Sequence, residues 1–122
     1  MHKLLFVDDE ESIRLLYKEE FQERGYEVIL AGSGEEALVK FSESNPDLLV
    51  IDIKMPGMDG IELLKRIRNL SRDVPIILCT AYGEYKHNLE TWASDDYVVK
   101  SANIEGLCEK IEKLLRNVPD NN

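Results

Sequence analysis

The sequence predicts a doubly wound α/β domain built on a five-stranded parallel sheet, and three observations carry that expectation. Five short apolar runs alternate with longer segments of helical period along the 122 residues. Four of the five runs are continuously apolar rather than alternating, the pattern of strands covered on both faces. No repeat, linker or low-complexity stretch interrupts the succession, so one domain is expected over residues 1–117, with a tail, 118–122, that should fray.

The elements follow in order. The first run, Leu4-Leu5-Phe6-Val7, leads into a helix expected from Glu10 to Arg24, with Ile13, Leu16, Tyr17 and Phe21 on its inward face. Gly25 suits the residue just past that helix. After Val28-Ile29-Leu30-Ala31, Ser33 with Glu36 three residues on reads as a capping box. The helix it opens turns Ala37, Leu38 and Phe41 inward and ends before Pro46. The third run, Leu48-Leu49-Val50-Ile51, ends at Asp52, and Asp59-Gly60 precedes a helix carrying Ile61, Leu64 and Ile67. The fourth run is Ile76-Ile77-Leu78-Cys79. A short polar helix is expected from about Glu84 to Trp92, with Trp92 read as a core anchor in preference to a partner contact. Tyr97-Val98-Val99 is the fifth run. The last helix has the cleanest period, in Ile104, Leu107, Cys108, Ile111, Leu114 and Leu115.

Right-handed crossovers leave few topologies for five βα units, and strands of this length suit the flavodoxin-like order 2-1-3-4-5, with helices on both faces. Hydrophobic residues make up 43% and charged residues 32%, a globular balance. A formal net charge of −9, with no local cluster of Lys or Arg, opposes nucleic-acid contact. No apolar run approaches a membrane span and none reads as a secretory signal, so a cytoplasmic location without membrane contact is expected. Cys79 and Cys108 each sit in an apolar pattern and read as buried thiols. His2 and His87 lack the neighbours of a phosphodonor or a metal ligand.

Ligands of such folds bind beyond the carboxyl ends of the strands, near the switch in strand order. Asp8, Asp9, Glu10 and Glu11 follow the first strand, Asp52 ends the third, Thr80 follows the fourth and Lys100 the fifth. In the order 2-1-3-4-5 these strands are neighbours, so the residues converge on one rim. Glu10 and Glu11 are also what a helix N-terminus attracts. Asp52 is harder to explain that way, because an acid ending so apolar a run is near-buried at a cost. Clustered carboxylates repel one another unless a hard divalent cation neutralises them, and Mg²⁺ favours a few carboxylates, water and a phosphate oxygen. An Asp carboxylate can itself be the nucleophile and become an aspartyl phosphate. Lys100 supplies a point charge for a phosphoryl oxygen, and the Thr80 hydroxyl a small donor.

The motifs Phe6-Val7-Asp8-Asp9-Glu10, Ile51-Asp52-Ile53-Lys54-Met55-Pro56-Gly57-Met58-Asp59-Gly60, Thr80-Ala81 and Tyr97-Val98-Val99-Lys100 occur in this order. On them, the sequence resembles the response-regulator receiver domain of two-component signalling over essentially its whole length, in the stand-alone single-domain form. The resemblance implies that Asp52 accepts a phosphoryl group from a sensor histidine kinase or phosphotransfer protein. It implies Mg²⁺ (or Mn²⁺) held by Asp9 and Asp52, by Asp8 through water, and by the backbone carbonyl of Lys54. Thr80 and Lys100 would bind the phosphoryl oxygens, and Tyr97 would be the switch aromatic, its alternative being a plain strand-end aromatic. Such a domain is a phosphoacceptor that promotes its own phosphorylation and dephosphorylation rather than an enzyme with a separate substrate. Output is expected through protein contacts of the fourth predicted helix, fifth strand and fifth predicted helix, with no DNA-binding region of its own, while the first helix docks the kinase.

Lys54 and Tyr82 would flank the path of an attacking water and tune phosphoryl lifetime. One departure stands out: receivers usually follow the Lys with Pro through a cis peptide, and here Ser101 follows Lys100. A cis bond to a non-proline residue costs about 2.5–4 kcal/mol, so a trans Lys100-Ser101 peptide is expected. Two other readings compete. A Mg²⁺-dependent phosphatase using an aspartyl phosphate is disfavoured by Lys54, where the common hydrolases carry a second Asp, and by the lack of a cap segment. A flavin binder is disfavoured because acids, not a Ser/Thr-rich phosphate loop, follow the first strand.

Overall fold

The computed structural model describes residues 1–80, 95–99 and 104–120, with Tyr97 and Val99 described through their backbone. The strands are β1 (Lys3–Val7), β2 (Glu27–Ala31), β3 (Leu48–Asp52), β4 (Ile76–Thr80) and β5 (Asp96–Val99). The helices are α1 (Glu11–Glu23), α2 (Gly34–Ser44), α3 (Gly60–Leu70) and α4 (Ile104–Leu115). The helix expected at 84–92, with His87 and Trp92, lies outside the described residues, so α4 is the last of the predicted helices.

The five strands form one parallel sheet in the order β2-β1-β3-β4-β5, as the apolar runs predicted. Successive side chains of a strand point to opposite faces, and two cores result. Leu5, Val7, Leu49, Ile51 and Leu78 meet α2 and α3 through Ala37, Leu64 and Ile67. Leu4, Phe6, Leu48, Val50, Ile77 and Cys79 meet α1 and α4 through Phe21, Leu107 and Ile111. All five residues of β3 are buried, including its terminal acid. Among the described residues no helix is long and apolar enough to cross a membrane.

Local chemistry explains the boundaries. Helix α1 ends in a Schellman turn: Tyr26 N donates to Phe21 O, Gly25 N donates to Gln22 O, and Gly25 adopts φ +96°. Helix α2 starts at Ser33, whose hydroxyl accepts from Glu36 N at 3.1 Å. The reciprocal arm of the expected capping box differs by one residue, because Glu36 Oε1 accepts from Gly32 N rather than from Ser33. That bond, helped by the charges of Lys40 and Arg14, holds the Glu36 carboxyl below its ordinary range. Asn45 closes α2 in the left-handed region at φ 51°, immediately before Pro46.

One inward assignment is corrected. Leu16 is 51% exposed beside Leu15 at 54%, while Ile13 and Tyr17 are half-buried and Phe21 fully buried. The stripe runs through 13, 17 and 21, and at 3.6 residues per turn Leu16 lies roughly 100° from its centre. The segment expected to fray carries three attachments: Val118 packs on the α1/α4 core, His2 Nε2 lies 2.9 Å from Val118 O, and the Met1 ammonium pairs with Asp120 at 2.7 Å.

Candidate functional site

The register fixes where the acids meet. Val7 pairs with Ile51, so Asp8 and Asp52, one residue further along each strand, stand side by side at the carboxyl end of the sheet. Asp8 is 1% exposed, Asp52 5% and Thr80 0%; among the described residues these three are the buried polar or charged side chains. Asp9 is exposed. Carboxylate oxygens of Asp8, Asp9 and Asp52 all lie within 4.8 Å of one another.

Each acid is held by its own stretch of backbone. Asp8 N donates to Ala31 O at 3.1 Å, which carries the β1–β2 pairing past the strand end. Asp8 Oδ1 accepts from Glu10 N at 3.0 Å, an Asx turn that reverses the chain into α1. Beyond Asp52, Ile53 N donates to Cys79 O and Gly60 N to Ile53 O, so the chain after the acid is tied to β4 and to the first residue of α3. Asp59 caps α3 by accepting from Glu62 N at 2.9 Å. The intervening loop, with Gly57 at φ +73°, is pressed onto α2: a Cβ at Gly34 would meet Met58 Sδ at 2.7 Å.

On the α1/α4 face, Tyr17 stacks on Phe6 with ring centroids 4.8 Å apart. Burial pushes its phenol far above the ordinary value of 10.0, and the charges of Cys79, Asp8 and Asp52 add to the effect.

The donor set suits a hard cation. It consists of carboxylates alone, with no Cys or His, which favours Mg²⁺ or Mn²⁺ over zinc. Oxygens sharing one octahedral Mg²⁺ stand roughly 3 to 4 Å apart. A spread of 4.8 Å closes to that by modest side-chain rotation, and the residues fit the ion.

Of the other expected site residues, Lys54 is exposed two positions past Asp52. It borders an open groove of about 820 Å³ lined by Ile53 to Pro56 and by Ile61, Glu62 and Lys65. None of the three acids lines that groove, so the candidate chemistry stays with the acid cluster. Thr80 ends β4, where it pairs with Val99, and Tyr97 pairs with Leu78. Lys100, Tyr82 and the Lys100-Ser101 peptide lie outside the described residues.

A family model, the response regulator receiver domain, matches residues 4–112. The chain belongs to that family. Among solved structures, the receiver is similar to the response regulator TrrA from Thermotoga maritima in complex with Mg(2+)-BeF. The two are 53% identical with a TM-score of 0.91, over 94% of this chain and 100% of that one. TrrA in complex with the histidine kinase ThkA gives 52% identity and a TM-score of 0.89, over 94% and 99%. Sporulation initiation phosphotransferase F of Bacillus subtilis (strain 168) is 45% identical over 82 residues, 67% of this chain and 66% of that protein. A probable transcriptional regulator, ycf27, of Porphyra purpurea is 43% identical over 116 residues, 93% of this chain and 47% of that protein. The receiver thus spans about half the length of ycf27 and about two thirds of the phosphotransferase.

Three residues that shape the receiver's site went unread in the sequence. Gly60 closes a family motif and precedes a helix in the sequence, but neither shows that its lack of a side chain lets α3 approach the Asp52 backbone. Tyr17 was read as a core residue, with nothing in its spacing to say that the charges of Asp8 and Asp52 act on its phenol. Arg14 is one cation on a charged helix, and no sequence pattern marks it as reaching back to Asp8, whose carbonyl accepts from its Nη1 at 2.8 Å.

Proposed function

We propose that this receiver takes a phosphoryl group onto Asp52 and signals through contacts that depend on it. The observation that carries the reading is the buried Asp52 at the end of β3, with oxygens of Asp8 and Asp9 inside 4.8 Å. Membership of the receiver family supports it. The donor is a phosphohistidine of a histidine kinase or phosphotransfer protein, a class suggested by the ThkA complex of TrrA.

An Asp52 carboxylate oxygen forms the new bond to phosphorus while the bond to the donor's imidazole nitrogen breaks, and that nitrogen leaves with the electron pair. Transfer of this kind asks for in-line positioning and charge neutralisation more than for covalent help. Asp9 and Asp52 would hold the divalent cation, with Asp8 acting mainly through water and the Lys54 carbonyl as a further ligand. When bound, Mg²⁺ or Mn²⁺ supplies the positive charge that lets a carboxylate and a phosphoryl group approach. Lys100 and the Thr80 hydroxyl take the phosphoryl oxygens, and movement at Thr80 is read by Tyr97 on the neighbouring strand. Lys54 and Tyr82 screen the acyl phosphate from water, so hydrolysis quickens in Tyr82→Gly. Burial of Asp52 supports slow hydrolysis in the same way.

The docking site for the donor is α1, with Leu15 and Leu16 outward. The face that includes β5 and α4 addresses the downstream protein. A net charge of −9 argues against direct contact with nucleic acid, and the cytoplasm is the compartment where a kinase and such a receiver meet.

The test is incubation with acetyl phosphate and Mg²⁺, followed by intact mass. One phosphate adduct is expected, absent with EDTA and absent in Asp52→Asn. An undiminished adduct in that variant would overturn the assignment.

A further inference from the structure

We infer that Arg14 is a positioning residue for the cation site: its guanidinium grips the Asp8 carbonyl and so sets the Asp8-Asp9 peptide that aims Asp9 at Asp52. The inference rests on the metal reading of the three acids given above.

The carbonyl in question belongs to the peptide plane that links the two acids. Asp8 N and Asp8 Oδ1 are already fixed by Ala31 O and Glu10 N. The carbonyl oxygen is the remaining polar atom of that residue's backbone, and Arg14 Nη1 donates to it at 2.8 Å from the second turn of α1. Rotation of this plane would turn Asp9, the exposed member of the cluster, away from the other two. A bond from a charged donor to a carbonyl resists that rotation more than a neutral one does.

Arg14 is itself held from the far side. A Cβ at Gly32 would meet its Nη1 at 3.1 Å and its Cζ at 3.3 Å, so the guanidinium sits close against a residue with no side chain. Glu36 Oε1 accepts from Gly32 N at 2.6 Å and would stand 3.6 Å from the same Cβ. The β2–α2 loop thereby forms a seat for the guanidinium, with a carboxylate on its border.

Arg14 is a cation near a cation site, and Coulomb's law alone says that removing it should tighten divalent binding. Positioning says the opposite. The sign of the change separates the two.

The experiment is titration of the unphosphorylated protein with Mg²⁺ by calorimetry, repeated with Mn²⁺ by electron paramagnetic resonance. Arg14→Met is expected to weaken binding about tenfold, as loss of a residue that orients a ligand does, and Arg14→Lys to recover part of it. Gly32→Ala, which crowds the guanidinium without altering it, should weaken binding in the same direction. In the double variant it should add nothing to Arg14→Met. Unchanged or tighter binding in Arg14→Met, or full additivity in the double variant, would overturn the inference. Should Arg14→Met not fold, Gly32→Ala decides: weaker binding supports the role and unchanged binding refutes it. Wild type that binds neither ion, or Asp9→Asn that binds both as well as wild type, would remove the metal reading and this inference together.

Discussion

Gly60 lies so close to Asp52 that a methyl group at its Cβ position would overlap the Asp52 carbonyl oxygen and stand 2.7 Å from the Ile53 Cα. Both obstacles are backbone, so no rotamer change can relieve them. Gly60→Ala should destabilise the domain by about 3 kcal/mol through overpacking, read from urea unfolding. It should also slow phosphorylation by acetyl phosphate, since relief of the clash moves the peptide of Asp52, the proposed acceptor. A variant as stable and as reactive as wild type would show that α3 is free to slide.

The outward leucines of α1 separate docking from folding. Leu16→Ala should change stability by no more than about 0.5 kcal/mol, whereas Phe21→Ala, on the same helix and fully buried, should cost about 3–5 kcal/mol. Phosphotransfer from a cognate kinase should fall in Leu16→Ala while the rate with acetyl phosphate stays as in wild type. A kinase rate in Leu16→Ala equal to that of wild type would take the kinase off this surface.

Arg68 ties the opposite end of the sheet together. Its Nη1 donates to Val74 O at 2.6 Å and Nη2 to Asp95 Oδ2 at 2.8 Å, and the same oxygen accepts from Ile76 N at 2.8 Å. Arg68 is 17% exposed, so its replacement by Met should cost about 2 kcal/mol in lost charge-assisted bonds. Asp95→Ala should raise hydrogen exchange specifically at the Ile76 amide. Protection there that survives the change would mean that water or another oxygen substitutes for Asp95.

The Tyr17 phenol gives an alkaline signature. Its value is raised by burial, with Cys79, Asp8 and Asp52 contributing. The associated stability is therefore complete below the ordinary value of 10.0 and is lost as pH rises from there toward the folded value. Tyr17→Phe should flatten the fall of the urea midpoint between about pH 9 and pH 11. Tyr26, whose phenol burial also raises, keeps a residual slope. A profile identical to wild type would mean that Tyr17 ionises freely in the native state.

The sheet and its order were legible because strands covered on both faces must be continuously apolar, and Leu48-Leu49-Val50-Ile51 could hardly be anything else. The acids were legible for the same reason inverted: Asp52 interrupts a pattern that has no other use for a charge. Leu16 was misassigned because a helix lying on a sheet buries a narrow stripe, and an apolar residue at its edge is indistinguishable in sequence from one at its centre. Gly60 and Arg14 were illegible in their roles. Close approach and a side chain reaching back six residues are facts of three dimensions, and neither leaves a period in the sequence.

Strand β3 is hydrogen-bonded along both edges, to β1 and to β4, and its five residues are buried between two layers of helix. It is therefore firmly held, with little room for its terminal residue to retreat. Bulk and charge attached there cannot be absorbed by the strand giving way. The displacement would be taken up by whatever surrounds it, and under the proposed function that rigidity would turn a chemical event at one carboxylate into mechanical work on its neighbours.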